Sequence, residues 1–224
     1  MEAIHAGHRK RLKDRCEKFG FDSLEEHEKL ELLLFNVIPR RDTNPIAHNL
    51  LRRFGSLAGV FEASSEELKT IDGVGETAAY FLRLMPSVAG SYISSKWEKG
   101  TSLGTTEQLH SFARDIFIGK TEEEFAVITL DSNRNLKNYA FLEKGTVNNV
   151  SVYPLKITEY VVKTKAVHIV LAHNHPNGMV APSLDDIKMT RHLDSILSDL
   201  TINVIDHIIV AGERCYSMRD MNNF

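Results

Sequence analysis

The sequence predicts a two-domain chain, all-helical to residue 90 and, from residue 106, an α/β or α+β arrangement of strands and helices in layers. Three observations carry this expectation. Before residue 90, apolar side chains recur at helical spacing. After residue 106, short apolar runs with β-branched residues appear. Between them, residues 91–105 are mostly small or charged, as in a linker.

In the first half, Leu30, Leu33, Leu34 and Val37 share a helical face, and Pro39 closes that segment. Pro45 opens another helix, with Ile46, Leu50, Leu51 and Phe54 on its apolar face and Gly55 as its stop. Ser64 and Ser65 before Glu66, Glu67 and Leu68 read as a capped helix start. A further helix begins near Glu76. Trp97 is expected to dock the 91–105 stretch onto one domain. From residue 106 the reading gives strands at Phe125–Leu130, Tyr139–Leu142, Val167–Ala172 and Val204–Val210. Helices are expected over Pro154–Lys165 and Ser183–Leu200.

The chain has 224 residues, 42% apolar and 25% charged, which is ordinary for a folded protein. No apolar run approaches the roughly 20 residues that span a bilayer. Residues Met1–Gly7 lack a hydrophobic signal core, so a cytoplasmic location is expected, with no membrane partner. Cys16 and Cys215 are too few and too far apart for a disulfide framework or a cysteine-held zinc. A net charge of −3 does not suggest bulk nucleic-acid binding. Arg9, Lys10, Arg11, Lys13 and Arg15 nevertheless form a basic run able to meet phosphates, or a solvated helix face balanced by the acidic run Glu25 to Glu31.

The chemistry concentrates between residues 173 and 186. His173 and His175 lie two apart at a strand end, so both imidazoles face the same way. Pro176 stops the strand, Gly178 permits a sharp turn, and Ser183 starts a helix with Asp186 in its first turn. Ser183 and Asp186 also fit a capping box, which explains those two residues without a metal. Two imidazoles and one carboxylate with an open fourth position form a catalytic zinc arrangement. His168 reads as structural. His207 reads as a packing residue, with a role behind a ligand as the alternative.

The pattern His173-x-His175, seven residues, then Ser183-x-x-Asp186 resembles the JAMM (MPN+) metalloprotease motif in full. The wider pattern, His-Asn-His-Pro-x-Gly and then Asp206-His207-Ile208-Ile209-Val210, is similar to the bacterial RadC family. The resemblance implies a JAMM/MPN-type, cytidine-deaminase-like sheet flanked by helices. It implies Zn2+ held by His173, His175 and Asp186, Ser183 as hydrogen-bond donor to the tetrahedral intermediate, and a Glu general base at an upstream strand start. Glu124 matches that position, with Glu122 and Glu123 adjacent and Glu143 as second choice. The chain departs from the family at Tyr153-Pro154-Leu155-Lys156, where Pro-Arg-Glu is usual and an acidic partner is missing.

Ile71-Asp72-Gly73-Val74-Gly75 sits between two helices and resembles a helix-hairpin-helix motif. Gly73 and Gly75 would let backbone amides approach a DNA phosphate, although Asp72 and Glu76 reduce the local positive charge. The front segment from Gly7 to Met85 also looks like the RadC amino-terminal domain. Three functions follow as expectations. One is a zinc hydrolase of peptide or isopeptide bonds acting near DNA. The second is a metal-dependent nuclease. The third is a non-catalytic DNA repair accessory protein. The substrate and the oligomeric state are not readable in the sequence.

Overall fold

A computed structural model describes residues 7–142 and 152–224. The chain forms two compact units, Met1–Val88 and Ala89–Phe224. The first contains helices α1 (His8–Phe19), α2 (Glu26–Leu34), α3 (Asn44–Phe54), α4 (Leu57–Glu62) and α5 (Ser65–Lys69), and α6 (Glu76–Ser94) begins in it. Capping boxes start α2 at Glu25 and Glu28, and α5 at Ser64 and Glu67. Gly55 ends α3 at φ +84°, a conformation glycine adopts without cost. Leu30, Leu34, Leu50, Val60, Leu68 and Leu82 make one buried cluster. Helix α1 joins the unit through Leu12, which packs with Leu24 and Phe35.

The basic run on α1 divides in two. Arg9 is structural: it donates to the carbonyls of Ile38 and Arg41 at 2.7 Å each and lies over the Phe35 ring. Arg15 pairs with Glu28. Lys10, Arg11 and Lys13 face solvent.

In the second unit come α7 (Thr106–Phe117), β1 (Phe125–Leu130), β2 (Leu136–Leu142), α8 (Val152–Thr164), β3 (His168–Asn174), α9 (Leu184–Asp199), β4 (Asn203–Ala211) and β5 (Arg214–Ser217). The sheet order is β2-β1-β3-β4-β5, with β3 and β4 parallel and the other neighbours antiparallel. Alternation divides each central strand between two layers. Ala126, Ile128, Val170 and Ala172 pack against Leu109, Phe112 and Ile116 of α7. Phe125, Val127, Ile169 and Leu171 pack against Ile157 and Val161 of α8 and Leu193 and Leu197 of α9.

Several expectations need correction. Residues 106–117 are helix α7, not the beginning of strands, and Thr105 and Gln108 cap it. Residues 91–94 belong to α6, and the stretch after them is bonded to the sheet side: Gly100 N–H donates to the Leu136 carbonyl and Leu103 N–H to that of Arg134. Leu103 is fully buried. Trp97 donates to Asp115 at 2.9 Å and meets Phe112 edge-on. Strand β5 was not anticipated.

Leu50→Ala empties a fully buried position on α3. It is expected to cost about 2–5 kcal/mol, read as a lower urea midpoint with an unchanged slope.

Candidate metal centre

The centre is built where β3 ends. His173 continues the face of Ile169 and Leu171, and it pairs in register with Phe125 of β1 and Ile209 of β4. His175 lies just past the strand but keeps the ladder, its N–H donating to the Val210 carbonyl at 2.8 Å. The chain then turns. Gly178 takes φ +80° and its N–H donates to the His175 carbonyl, while Arg214 donates to the Gly178 carbonyl at 2.6 Å. Ser183 caps α9. Its hydroxyl accepts from the Asp186 N–H at 3.1 Å and donates to Asp186 Oδ2 at 2.6 Å, and its N–H reaches the same oxygen at 2.7 Å.

These local features bring three ligand atoms together. His173, His175 and Asp186 each offer one atom, all within 4.8 Å of one another. His173 Nε2 is 2.9 Å from His175 Nε2 and 3.7 Å from Asp186 Oδ2. Tetrahedral ligation at about 2.0–2.1 Å sets ligand atoms roughly 3.3 Å apart, between those two distances. His175 Nδ1 lies 2.6 Å from the Met179 carbonyl, which can only accept. The neutral ring therefore has its lone pair on Nε2, facing His173. Two nitrogens and a carboxylate oxygen around one point suit a divalent cation.

The electrostatics agree with the donor set. Burial by itself would raise the Asp186 carboxyl, but the Ser183 bonds and the nearby imidazoles of His173 and His207 hold it below its ordinary value. The group is a carboxylate at neutral pH. His207 is fully buried. Loss of solvation first, and repulsion from His173 second, push its pKa down to about 3.

His207 is where the sequence reading falls short. Its Nε2 lies 2.8 Å from His173 Nδ1, and its Nδ1 lies 2.6 Å from the Thr190 hydroxyl. It sits directly behind a candidate ligand rather than merely packing. His168 lies at the far end of β3, 3.4 Å from the Asn203 amide and away from the centre.

Glu124 precedes β1 beside the end of β3. Its N–H donates to Asn174 Oδ1 at 2.8 Å, and its carboxylate accepts from Lys120 at 2.9 Å. Lys120 also lies 4.2 Å from the Phe141 ring centre. Asn174 further donates to the Glu122 carbonyl at 2.9 Å, fixing the approach to β1. Neither Asn174 nor Lys120 was singled out in the sequence; their signal is only visible once β1 and β3 are paired. Glu143 lies outside the described residues.

Gly73 and Gly75 stand between α5 and α6 in the first unit. Gly73 has φ +92°, a left-handed conformation that favours glycine, and an added Cβ would also press on the Ile46 side chain at 2.6 Å, so the local backbone accounts for this glycine without DNA. Gly75 faces open space. Asp72 is paired with Arg41, and Glu76 with Lys69.

Residues 103–223 match the family model described as RadC-like JAB domain. The chain is also 38% identical over 224 residues to a UPF0758 protein of Fusobacterium nucleatum subsp. nucleatum, covering 96% of each.

Ser183→Ala removes both the cap and the donor to Asp186. It is expected to destabilise the metal-free protein by about 0.5–2 kcal/mol and also to weaken divalent-metal binding. Denaturation and metal titration of the same samples check the two effects separately.

Proposed function

The chain belongs to the RadC family, and from that premise we propose that it is a zinc-dependent hydrolase of the JAMM type, cleaving a peptide or isopeptide bond. The observation that carries this reading is the convergence of His173 Nε2, His175 Nε2 and Asp186 Oδ2 at the end of β3, with His173 buried and the other two half-buried. Zinc held there supplies Lewis acidity toward a carbonyl oxygen and lowers the pKa of water. Glu124, at the start of β1, takes the proton from the attacking water and returns it to the leaving nitrogen as the C–N bond breaks. Ser183 donates to the developing oxyanion once its hydroxyl turns from Asp186.

A peptide suits the surroundings better than a nucleic acid. Met179 and Leu184, both exposed apolar side chains, flank the ligands in the chain. Glu122 and Glu123 precede β1 beside the end of β3, and although Lys120 and Lys188 pair with Glu124 and Asp185, this run of carboxylates suits a phosphodiester less than a peptide. The Lys120–Glu124 ion pair favours a second reading, in which the centre binds metal without hydrolysis and the protein is an accessory factor. In both readings Ile71–Gly75 serves as a helix-hairpin-helix contact to DNA. The pairing of Asp72 and Glu76 with cations offsets their repulsion of phosphate, and Arg52 and Arg53 border the same hairpin. Two free cysteines suit the reducing cytoplasm. Among the described residues, no helix is long and apolar enough to cross a membrane.

Purified without chelators, the protein is expected to carry one zinc per chain, lost in His173→Ala. Glu124→Gln should keep the metal and lower kcat on peptide or isopeptide substrates by about 10²–10⁴-fold. Equal behaviour of Glu124→Gln and wild type on peptide, isopeptide and DNA substrates would sink the enzymatic reading. For the front unit, binding to duplex or branched DNA is expected to weaken steeply with salt. Gly75→Ala, which adds a methyl group into open space, should reduce that binding without loss of fold.

A further inference from the structure

Four groups form a buried chain behind the candidate ligands. Thr190 Oγ1 lies 2.6 Å from the Asp186 backbone carbonyl, one turn earlier in α9. It also lies 2.6 Å from His207 Nδ1, and His207 Nε2 is 2.8 Å from His173 Nδ1. A hydroxyl has one proton and a carbonyl has none. The Thr190 proton therefore goes to the Asp186 carbonyl, and Thr190 accepts from His207. His207 is enclosed, and an isolated charge there is costly, so the ring is neutral. With its proton on Nδ1, its Nε2 accepts from His173. His173 is left with a proton on Nδ1 and its lone pair on Nε2, so that the lone pairs of His173 and His175 face each other at 2.9 Å, a repulsive contact that a cation between them relieves.

The backbone is shaped to allow this. The register of β3 against β4 slips by one residue: Ile169 pairs with Val204, but Val170 pairs with Asp206. Without the slip, alternation from Val204 would turn His207 toward the α7 layer. With it, His207 pairs with Leu171 and joins the layer of α9, where Thr190 waits. An inserted residue that re-aims a side chain is a recognised use of a β-bulge. Phe125 encloses the pair, stacked 6.3 Å from His173 and edge-on 5.7 Å from His207.

We propose that Thr190 and His207 are positioning residues, a relay that locks His173 in its Nδ1–H tautomer and orients its ring before any metal arrives. The relay runs from the backbone of Asp186 to the ring of His173, so it ties two of the ligands to each other through the core. The proposal rests on the reading that His173, His175 and Asp186 hold a metal. Its central claim, however, concerns the metal-free protein.

The test is imidazole nitrogen NMR on the full-length metal-free protein in mildly alkaline buffer, followed by zinc titration against a competing chelator. In the wild type, His173 and His207 should both carry the proton on Nδ1. Thr190→Val keeps the side-chain shape but cannot accept from His207. It should remove the tautomer preference of both rings and weaken zinc binding about 10–100-fold. His207→Leu should do the same. His207→Gln, whose carbonyl accepts from His173 and whose amide donates to Thr190, should restore the His173 tautomer and most of the affinity. A wild-type His173 protonated on Nε2 overturns the relay, as does a folded Thr190→Val with unchanged tautomers and affinity. If the wild type takes up no zinc, the metal reading falls, and the tautomer measurement still decides the relay by itself.

Discussion

The centre depends on one carboxylate doing two jobs. Asp186 closes the capping box that starts α9, accepting from both the N–H and the hydroxyl of Ser183 through Oδ2. The same oxygen faces His173 Nε2 at 3.7 Å. Helix capping and metal ligation read as rival explanations in the sequence, yet the geometry makes them compatible: the capping carboxylate also stands in the cluster that could hold a metal. The cap fixes where α9 begins, and that start sets the carboxylate opposite the end of β3. A carboxylate has about four lone-pair directions, so two bonds from Ser183 leave capacity for a cation.

What could be read from residues alone divides along physical lines. His173 and His175 are two apart, and the period of a strand is local, so their shared direction needs no tertiary knowledge. The four long strands were legible for another reason, as short apolar runs. Helix α7 was also legible but overlooked: Thr105 and Gln108 fit a capping box, and Leu109, Phe112, Ala113 and Ile116 follow at helical spacing. Strand β5 has four residues and no alternation to detect. For His207 the sequence offered packing or support of a ligand and could not choose between them. Counting along an unbroken strand turns it to the α7 side, and the slip that reverses this exists only in the pairing of β4 with β3.

The loop before β1 shows how a residue remote in sequence can place a candidate base. Asn174, on the face of β3 opposite to His173, accepts from the Glu124 N–H and donates to the Glu122 carbonyl. The strand that presents the imidazoles thus also anchors the backbone of the glutamate. Lys120 then decides the charge around its carboxylate. At 2.9 Å, with its ammonium also 4.2 Å from the Phe141 ring centre, it occupies one of the carboxylate's hydrogen-bonding directions for as long as the pair persists. A substrate that drew Lys120 aside, for instance onto a carbonyl or carboxylate of its own, would release Glu124 at the moment of binding.

The ligand set explains why such a site would favour hydrolysis over mere storage of a metal. Two neutral imidazoles and one carboxylate contribute a single negative charge, so a divalent cation among them keeps a net positive charge. Cysteine ligands would cancel it, and neither Cys16 nor Cys215 is in the cluster. Residual charge at an open coordination position is what polarises a carbonyl. Its effect grows as water is excluded, because the field of the cation is less screened in a low-dielectric setting. The buried side of the centre already meets that condition through Phe125, His207 and the α9 layer. Met179 and Leu184, exposed apolar side chains that lie between His175 and Asp186 in the chain, would meet it on the open side if an apolar segment of substrate lay across them. In a hydrolase of the proposed kind, substrate binding and activation of the metal would in that sense be one event.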